Sequence, residues 1–392
     1  MELRWSFVFL KKDPFLLEAP QEVEATVWAD MERARKQLEQ IIANSLFSGV
    51  TQVIFNRSVW GAGKTHAARY FTNENNVRIH HFDGWIKCIY TRTPKQPEKA
   101  VQLFYERILE ELRWESIRQW VNEANKALGN EKEAVEFFFS ITRDSDLARA
   151  VWLLGNLEYN ERLLRKYFIG KLTNKELDDL KLAKNLEPSD ARQRVAVLEA
   201  ILKAAMGVEG EQKGRVLIWI DETEDLNLYQ RGRQRLLTGL WRDLVDSMPR
   251  GLTLFLNYTP AAGELVVDVG GVFGEGLKSR FTDTLSFEPL DEKDALTYVI
   301  DLLNSATYRE KDSLPPRLPI SYPFEEEALV QALAGISART PRKINLACGH
   351  LLRSALQENV FSGPGKGIIN AEYVRKKWPD MEQLINKEKG LL

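Results

Sequence analysis

Short apolar runs recur along the chain, and stretches with helical periodicity separate them. Five runs are rich in β-branched and other apolar residues and have the length of a strand: 50–56, 85–90, 215–220, 252–257 and 284–287. Strands that alternate with helices are typical of a parallel sheet with helices on both faces. The pattern therefore predicts an α/β fold built around a parallel sheet.

The spacing of these runs divides the chain further. From about residue 98 to 212, between the second and third runs, the pattern is mostly helical, which predicts a long helical insert. After Pro289 helical patterns continue to residue 358. We therefore expect four regions: an N-terminal segment (1–48), an α/β core (49–288), a helical region (289–358) and a C-terminal tail (359–392).

The composition excludes several classes of protein. Among the 392 residues, 54 Lys and Arg stand against 56 Asp and Glu, and the resulting charge of −2 excludes a uniformly basic surface. Two distant cysteines, Cys88 and Cys348, make neither a disulfide framework nor a zinc motif, so a reducing, cytoplasmic setting is expected. The apolar runs are shorter than the roughly 20 residues that span a bilayer, so we expect no membrane partner.

A glycine-containing loop follows the first predicted strand and precedes a helix. It reads Ser58-Val-Trp-Gly-Ala-Gly-Lys-Thr65 and matches the Walker A pattern, except that Ser58 replaces the first glycine. Gly61 and Gly63 let the backbone wrap around phosphates, and the helix dipole attracts them. Lys64 supplies a cation, and the Thr65 hydroxyl is a hard oxygen ligand for Mg²⁺. The loop predicts an ATP site, and a chance glycine-rich turn is the alternative.

Four further features of the loop bear on nucleotide binding. Ala62 belongs to the part of the loop that faces the phosphates, and His66 follows the loop directly and is expected to pack near it. Trp60 either lies near the nucleotide or packs against the sheet. Ser58 is expected to reshape the loop if its position requires a positive φ, because serine adopts such angles less readily than glycine.

The third predicted strand ends in two carboxylates, Asp221 and Glu222, as a Walker B strand does. We expect Asp221 to hold Mg²⁺ through water and Glu222 to polarise the attacking water as a general base. A plain turn after a strand is the alternative reading. Glu224 and Asp225 are expected only to cap the following helix.

The order of these motifs resembles the AAA+ ATPases, specifically the branch of replication initiators and transposon target-selection proteins, across residues 10–358. The resemblance implies a P-loop NTPase core with the helical insert, and it makes residues 289–358 a helical lid. It places Asn257, at the end of the fourth strand, at the sensor 1 position beside the γ-phosphate. It makes Arg280 an arginine finger for a neighbouring subunit. The alternatives are a turn-forming asparagine and a surface arginine.

The same resemblance assigns a role to the start of a lid helix. Within Ala338–Asn345, Arg342 matches the sensor 2 arginine that touches the γ-phosphate, and Arg339 is a weaker match. Pro341 suits the first turn of that helix. Residues 360–392 are too few for the winged-helix domain of replication initiators, so origin-type recognition is not expected.

Two weaker features concern the biological setting. Residues 167–205 and the end of the Walker B strand diffusely resemble ATP-binding proteins of BREX-type phage-exclusion systems, which implies a prokaryotic defence or mobile-element role. Arg231, Arg233 and Arg235 form a basic cluster after Walker B. This cluster either faces a central pore and contacts nucleic-acid phosphates or is a solvated helix start.

Together these features predict a Mg²⁺-dependent AAA+ ATPase that binds ATP between the subunits of a homo-oligomer. We expect it to regulate or remodel DNA, with a protein effector such as a nuclease or a transposase. The alternative is a signalling or scaffold NTPase that recruits proteins without touching DNA. A nucleotide-binding module without turnover is a third reading, which the presence of Glu222 disfavours.

Overall fold

A computed structural model of the chain describes residues 3–18, 27–77, 82–187, 190–208, 214–261 and 267–389. The predicted end of the helical insert, near residue 212, lies outside these ranges. Within them, no helix combines the length and the apolar character that a membrane crossing requires.

Five strands of the described chain form one sheet: β1 (Gln52–Arg57), β2 (Trp85–Arg92), β3 (Gly214–Asp221), β4 (Leu252–Tyr258) and β5 (Asp283–Leu285). Their order is β2-β3-β4-β1-β5, and every neighbouring pair is parallel. This confirms the predicted parallel sheet. The order also places β1 beside β4, with Asn56 paired to Asn257, so the polar residues that end these strands meet at one edge.

The last strand is shorter than its apolar run. The run 284–287 predicts a strand to Phe287, but β5 ends at Leu285. The N–H of Phe287 donates instead to the hydroxyl of Ser58, at 2.7 Å, because the chain turns there toward the phosphate loop.

The described residues contain sixteen α-helices, which are in chain order α1 (Glu32–Ser48), α2 (Lys64–Thr72), α3 (Glu74–Val77), α4 (Ala100–Leu112), α5 (Trp114–Leu128), α6 (Glu131–Thr142), α7 (Ser145–Gly155), α8 (Glu161–Phe168), α9 (Asn174–Leu180), α10 (Ala191–Met206), α11 (Arg231–Ser247), α12 (Val269–Lys278), α13 (Glu292–Asn304), α14 (Glu326–Ala334), α15 (Pro341–Gln357) and α16 (Ala371–Lys389). Short 3₁₀ helices also occur at Trp5–Val8, Pro97–Lys99 and Thr223–Leu228.

Both faces of the sheet are covered, which explains why β3 is buried along its whole length. Leu217 and Trp219 point to the face that α1 and α2 cover, where the Trp219 ring stacks on Phe255 with centroids 3.8 Å apart. Val216 and Ile218 point to the opposite face and join the core of the helical insert. Alternate side chains of this apolar strand thus belong to two different hydrophobic clusters.

The predicted helical insert is confirmed as seven helices, α4–α10. Polar residues precede several of them and accept hydrogen bonds from first-turn N–H groups, as Asn130, Asp144 and Asp190 do. The insert does not form a core of its own, because Phe104 and Phe138 share one hydrophobic cluster with Ile218 of the sheet. The insert therefore thickens one face of the sheet.

The helices α13–α16 form a second hydrophobic cluster, which makes up the lid. Val8, Leu10 and Phe15 of the N-terminal segment belong to this cluster, whereas α1 packs on the sheet. The C-terminal α16 also packs in the lid, against α14 and α15. Helix α14 begins only at Glu326, because Phe324 pairs with Ile369 in a short β-bridge.

Candidate nucleotide site

The loop between β1 and α2 turns tightly at two glycines. Gly61 and Gly63 have φ angles of 78° and 100°, in the left-handed region that favours glycine. A side chain on Gly61 would also collide with the lid, since its Cβ would lie 2.8 Å from the Cβ of Arg342. The two glycines therefore serve the loop's turn and its close contact with the lid.

Ser58 replaces a glycine without distorting this loop. Its φ is not positive, and its side chain is buried. The hydroxyl donates to Asn56 Oδ1 at 2.8 Å and accepts from the N–H of Phe287 at 2.7 Å. The serine thus ties the loop to β1 and to the segment after β5, and the expected change of loop shape is not seen.

Lys64 begins α2 and turns its side chain back along the loop. Its Nζ donates to the carbonyls of Ser58 at 2.6 Å and Val59 at 3.1 Å. Burial lowers the pKa of Lys64 to about 8, although the carboxylates of Glu224 and Asp221 oppose this shift. The site therefore holds a partly desolvated cation, which interacts strongly with phosphate oxygens.

Asp221 lies at the centre of a polar network. Its Oδ2 accepts from the hydroxyls of Thr65, at 2.6 Å, and Tyr90, at 3.0 Å. Its Oδ1 accepts from Nδ2 of Asn257 at 3.2 Å, and Asn257 in turn accepts from Asn56 at 3.0 Å. Asn257 is fully buried behind Asp221 and is not among the residues that line the cavity.

The oxygens of Thr65 and Asp221 fit a magnesium ion. They lie 2.6 Å apart at the edge of the cavity, and hydroxyl and carboxylate oxygens are hard ligands that Mg²⁺ prefers. The described residues contain no cluster of three His, Cys, Asp or Glu side chains suited to a metal. Nucleotide phosphates and water usually supply the remaining ligands of such an ion.

Glu222 has a strained backbone, with a φ of 57° that is uncommon for a residue other than glycine. Its carboxylate faces Arg92 at 3.5 Å and Lys95 at 3.8 Å. The Oε2 atom is buried and has no hydrogen-bond partner among the described residues. A buried carboxylate oxygen without a donor can accept a proton, which is what a general base requires.

Glu224 and Asp225 also line the cavity, a position that the sequence did not suggest. They lie in the first turn of the 3₁₀ helix, but Glu224 Oε2 accepts from the N–H of Thr259 at 3.0 Å, beyond the end of β4. Burial raises the pKa of the Glu224 carboxyl. Glu224 is therefore a second carboxylate near Lys64.

The cavity has a volume of about 370 Å³ and lies between the sheet edge and the lid. One end is formed by the phosphate loop and the carboxylates. Apolar and aromatic groups line the rest: Leu16, Leu17, Trp28, Met31, Trp60, Tyr298 and Tyr308. His66 lines it too, and its Nε2 lies 2.7 Å from the carbonyl oxygen of Val27, while burial lowers its pKa. His66 thus packs beside the loop as expected.

Arg342 reaches the cavity from the start of α15. Its guanidinium lies 4.1 Å from the ring centroid of Trp60, and its Nη1 donates to the carbonyl of Leu17 at 2.5 Å. The side chain of Thr340 caps this helix, with Pro341 in its first turn. Arg339 turns away and donates to the carbonyl of Leu333. Of Arg339 and Arg342, only Arg342 lines the cavity.

Other predicted site residues lie elsewhere. Ala62 is buried in the core beneath the loop. Arg280 is not among the cavity residues and pairs with Asp246 through two contacts of 2.9 Å. Arg231, Arg233 and Arg235 are exposed at the start of α11, and none of them has an ion pair with a described residue.

Several cavity residues were not identified from the sequence. Lys95 lies in the turn after β2, and the rule that parallel strands end at one edge would have found it. Leu16 and Leu17 lie far from every motif, and no local signal marks them. They reach the cavity because Phe15 is anchored in the lid.

Neither a scan against protein-family models nor a search of curated proteins finds a match. Among solved structures, the Aeropyrum pernix ORC2 protein in its ADPNP–ADP complexes is similar with a TM-score of 0.53 and 10% identity, over 95% of this chain and 72% of that chain. The chain shares its fold with this protein. The predicted P-loop NTPase fold, with its lid, is thereby confirmed.

Two other solved structures are similar with lower TM-scores. The Aeropyrum pernix ORC1 protein in complex with DNA has a TM-score of 0.47 and 14% identity, over 95% of this chain and 70% of that chain. Drosophila ORC bound to DNA has a TM-score of 0.47 and 12% identity, over 93% of this chain and 65% of that chain. None of these comparisons bears on the resemblance to BREX-type proteins, which stays a prediction.

Proposed function

We propose that this chain is a Mg²⁺-dependent ATPase that works on DNA as a homo-oligomer. One observation carries the proposal: Lys64, Thr65 and Asp221 converge at one end of a cavity that Arg342 enters from the lid. These groups offer a buried cation, two hard oxygens and a second cation. Such a set suits a triphosphate, and the apolar walls beyond it suit a base.

Each residue then has a role in hydrolysis. The loop backbone and Lys64 hold the phosphates, and Arg342 contacts the γ-phosphate. Mg²⁺, held by Thr65 and Asp221, neutralises phosphate charge when bound. Glu222 takes the proton of the attacking water, and Asn257 keeps Asp221 oriented. The left-handed backbone at Glu222 supports this role, because strained residues persist where the surrounding structure fixes them for function.

Two substitutions test the nucleotide site. Lys64→Ala should abolish ATP binding measured by calorimetry, whereas unchanged affinity would reject the site. Glu222→Gln should bind ATP normally and hydrolyse it about 10²–10⁴-fold more slowly, because the amide cannot accept the proton. Glu224→Gln is the matched comparison, since Glu224 lines the same cavity. If Glu224→Gln hydrolyses ATP more slowly than Glu222→Gln, Glu224 and not Glu222 is the general base.

We further propose that Arg280 acts on a neighbouring subunit's nucleotide. Its position away from the cavity of its own chain supports action in trans. Arg280→Ala and Glu222→Gln subunits should each be inactive, but a mixture should regain activity. In the mixture, some sites combine an intact Glu222 with an intact Arg280. No recovery would reject action in trans. Arg242→Ala, which removes another half-exposed arginine near by, serves as the control.

DNA binding rests on the exposed arginines at the start of α11. We expect duplex DNA to bind in the presence of ATP and to dissociate as salt rises. Arg233→Ser should lower the slope of log affinity against log salt by about 1, because one phosphate contact is lost. Arg317→Ser, an exposed arginine of the lid, should leave the slope unchanged. No ATP-dependent binding even at low salt would favour the protein-scaffold function.

The proposed setting is a bacterial or archaeal cytoplasm, in phage defence or the control of mobile elements, with a nuclease or transposase as effector. The resemblance of residues 167–205 supports the defence role. The buried free thiols of Cys88 and Cys348 fit a reducing compartment. The genes beside this one test the setting: a nuclease, methylase or transposase gene is expected there, and housekeeping neighbours would contradict it.

A further inference from the structure

Trp60 lies in the phosphate loop, and its side chain contacts the lid. It is half-buried, and it packs against none of the three hydrophobic clusters of the described residues. Its ring instead faces Arg342 from the lid, 4.1 Å from the guanidinium carbon. A packing role against the sheet, one of the two readings of the sequence, is therefore not what the geometry shows.

The contact between loop and lid is close along the backbone as well. The N–H of Arg342 donates to the carbonyl of Gly61 at 3.3 Å, and Gly61 has no room for a side chain beside the Arg342 Cβ. The guanidinium also donates to the carbonyl of Leu17. Arg342 is thus held between an indole face, the loop backbone and the N-terminal segment.

We propose that Trp60 is a positioning residue for Arg342, whose stacked guanidinium it aims at the phosphate end of the cavity. The inference rests on the proposed function, because it requires that Arg342 recognises the γ-phosphate. An indole face attracts a guanidinium and restricts it to a plane, while the N–H groups at the edge of that plane can still donate. The stacking therefore lowers the cost of orienting a long side chain when ATP binds.

This role makes a specific prediction about ATP and ADP. Only ATP carries the γ-phosphate, so misplacing Arg342 should weaken ATP binding and spare ADP. Trp60→Leu should lower ATP affinity about fivefold and ADP affinity less than twofold, and Trp60→Phe should restore most of the difference. If Trp60 merely shaped the loop, both nucleotides would lose affinity equally.

A double-mutant cycle shows whether Trp60 acts through Arg342. Affinities for ATP and ADP are measured by calorimetry for Trp60→Leu, Arg342→Ala and the double variant, with Mg²⁺ present. If Trp60 acts through Arg342, the double variant should bind ATP less than about twofold more weakly than Arg342→Ala alone. Effects that multiply fully would overturn the inference. Trp152→Leu is the control, since Trp152 also faces an arginine, Arg149, but lies in the helical insert.

The two proposals fail differently. If the wild-type chain binds no ATP, or if Lys64→Ala leaves binding unchanged, the proposed function is overturned and this inference with it. If wild-type binding depends on Lys64 and Arg342 but Trp60→Leu affects ATP and ADP alike, only the role of Trp60 is overturned. Thermal unfolding of each variant verifies that the fold persists.

Discussion

The two sides of the nucleotide cavity are built differently. On the sheet side, Asp221 and Asn257, at the ends of adjacent strands, form a continuous hydrogen-bond network with Thr65 of α2. On the lid side, Arg342 is held by an aromatic face and a carbonyl of a remote segment. Hydrogen bonds thus hold the sheet side in place before any ligand binds. The position of Arg342 on the lid side depends instead on how the lid cluster lies relative to the sheet. Under the proposed function, the difference separates the residues proposed to do the chemistry from those proposed to sense which nucleotide is bound.

The lid side can be broken without touching the sheet. Phe15 is buried in the lid cluster against the edge of Phe324, with centroids 6.2 Å apart. Phe15→Ala should lower the free energy of unfolding of the lid by about 3–5 kcal/mol, because a buried cavity replaces the ring. Hydrogen exchange should show faster exchange in α13–α15 and unchanged protection in β1 and β3. Phe138→Ala, in the insert, should speed exchange in β1 and β3 and leave α13–α15 protected. If either variant lowers protection equally in the sheet and in the lid, the two sides are not independent.

The sheet side can be broken at its proposed metal ligand. Asp221→Asn removes the negative charge that faces Thr65, so we expect kcat to fall by at least about 10²-fold. The concentration of Mg²⁺ needed for half-maximal activity should rise as well. Asp225→Asn alters another cavity carboxylate, in the 3₁₀ helix that follows β3, and kcat should change less than about threefold. Similar losses in both variants would argue for a general effect of negative charge.

A smaller effect is expected where the serine replaces the Walker A glycine. Ser58→Gly leaves the N–H of Phe287 without its acceptor in a buried place, which should cost about 1–3 kcal/mol of the free energy of unfolding. ATP affinity should not improve, because the loop does not need a positive φ at this position. Chemical denaturation and calorimetry measure the two quantities. Tighter ATP binding by Ser58→Gly would show that the serine distorts the loop.

The pH should change ATP affinity through Lys64. Burial lowers the pKa of Lys64 to about 8, and only the cationic form attracts phosphates. ATP affinity should therefore be constant below the pKa and fall about tenfold per pH unit above it, as the amine loses its proton. Lys64→Arg, which keeps its charge, should bind ATP without this decline. A flat profile for the wild type up to about pH 10 would show that Lys64 is not the titrating group.

Much of this site was predictable because its residues sit beside strands. Apolar runs of strand length place β1, β3 and β4; Asp221 and Asn257 follow from their positions at the ends of β3 and β4, and Lys64 follows from the loop motif after β1. The sequence predicted only a capping role for Glu224, which also lines the cavity. A residue in the turn after a strand can cap a helix or face a cavity, and only the position of Thr259 in space distinguishes these outcomes.

The parallel sheet, the helical insert and the phosphate loop could all be read from the sequence, because each depends on local periodicity or on backbone rules within a few residues. Three contacts could not: Trp60 faces Arg342, Leu17 lines the cavity, and the insert shares the sheet's core. These contacts join segments up to hundreds of residues apart. They arise from the packing of whole hydrophobic clusters in three dimensions, which no short stretch of sequence encodes.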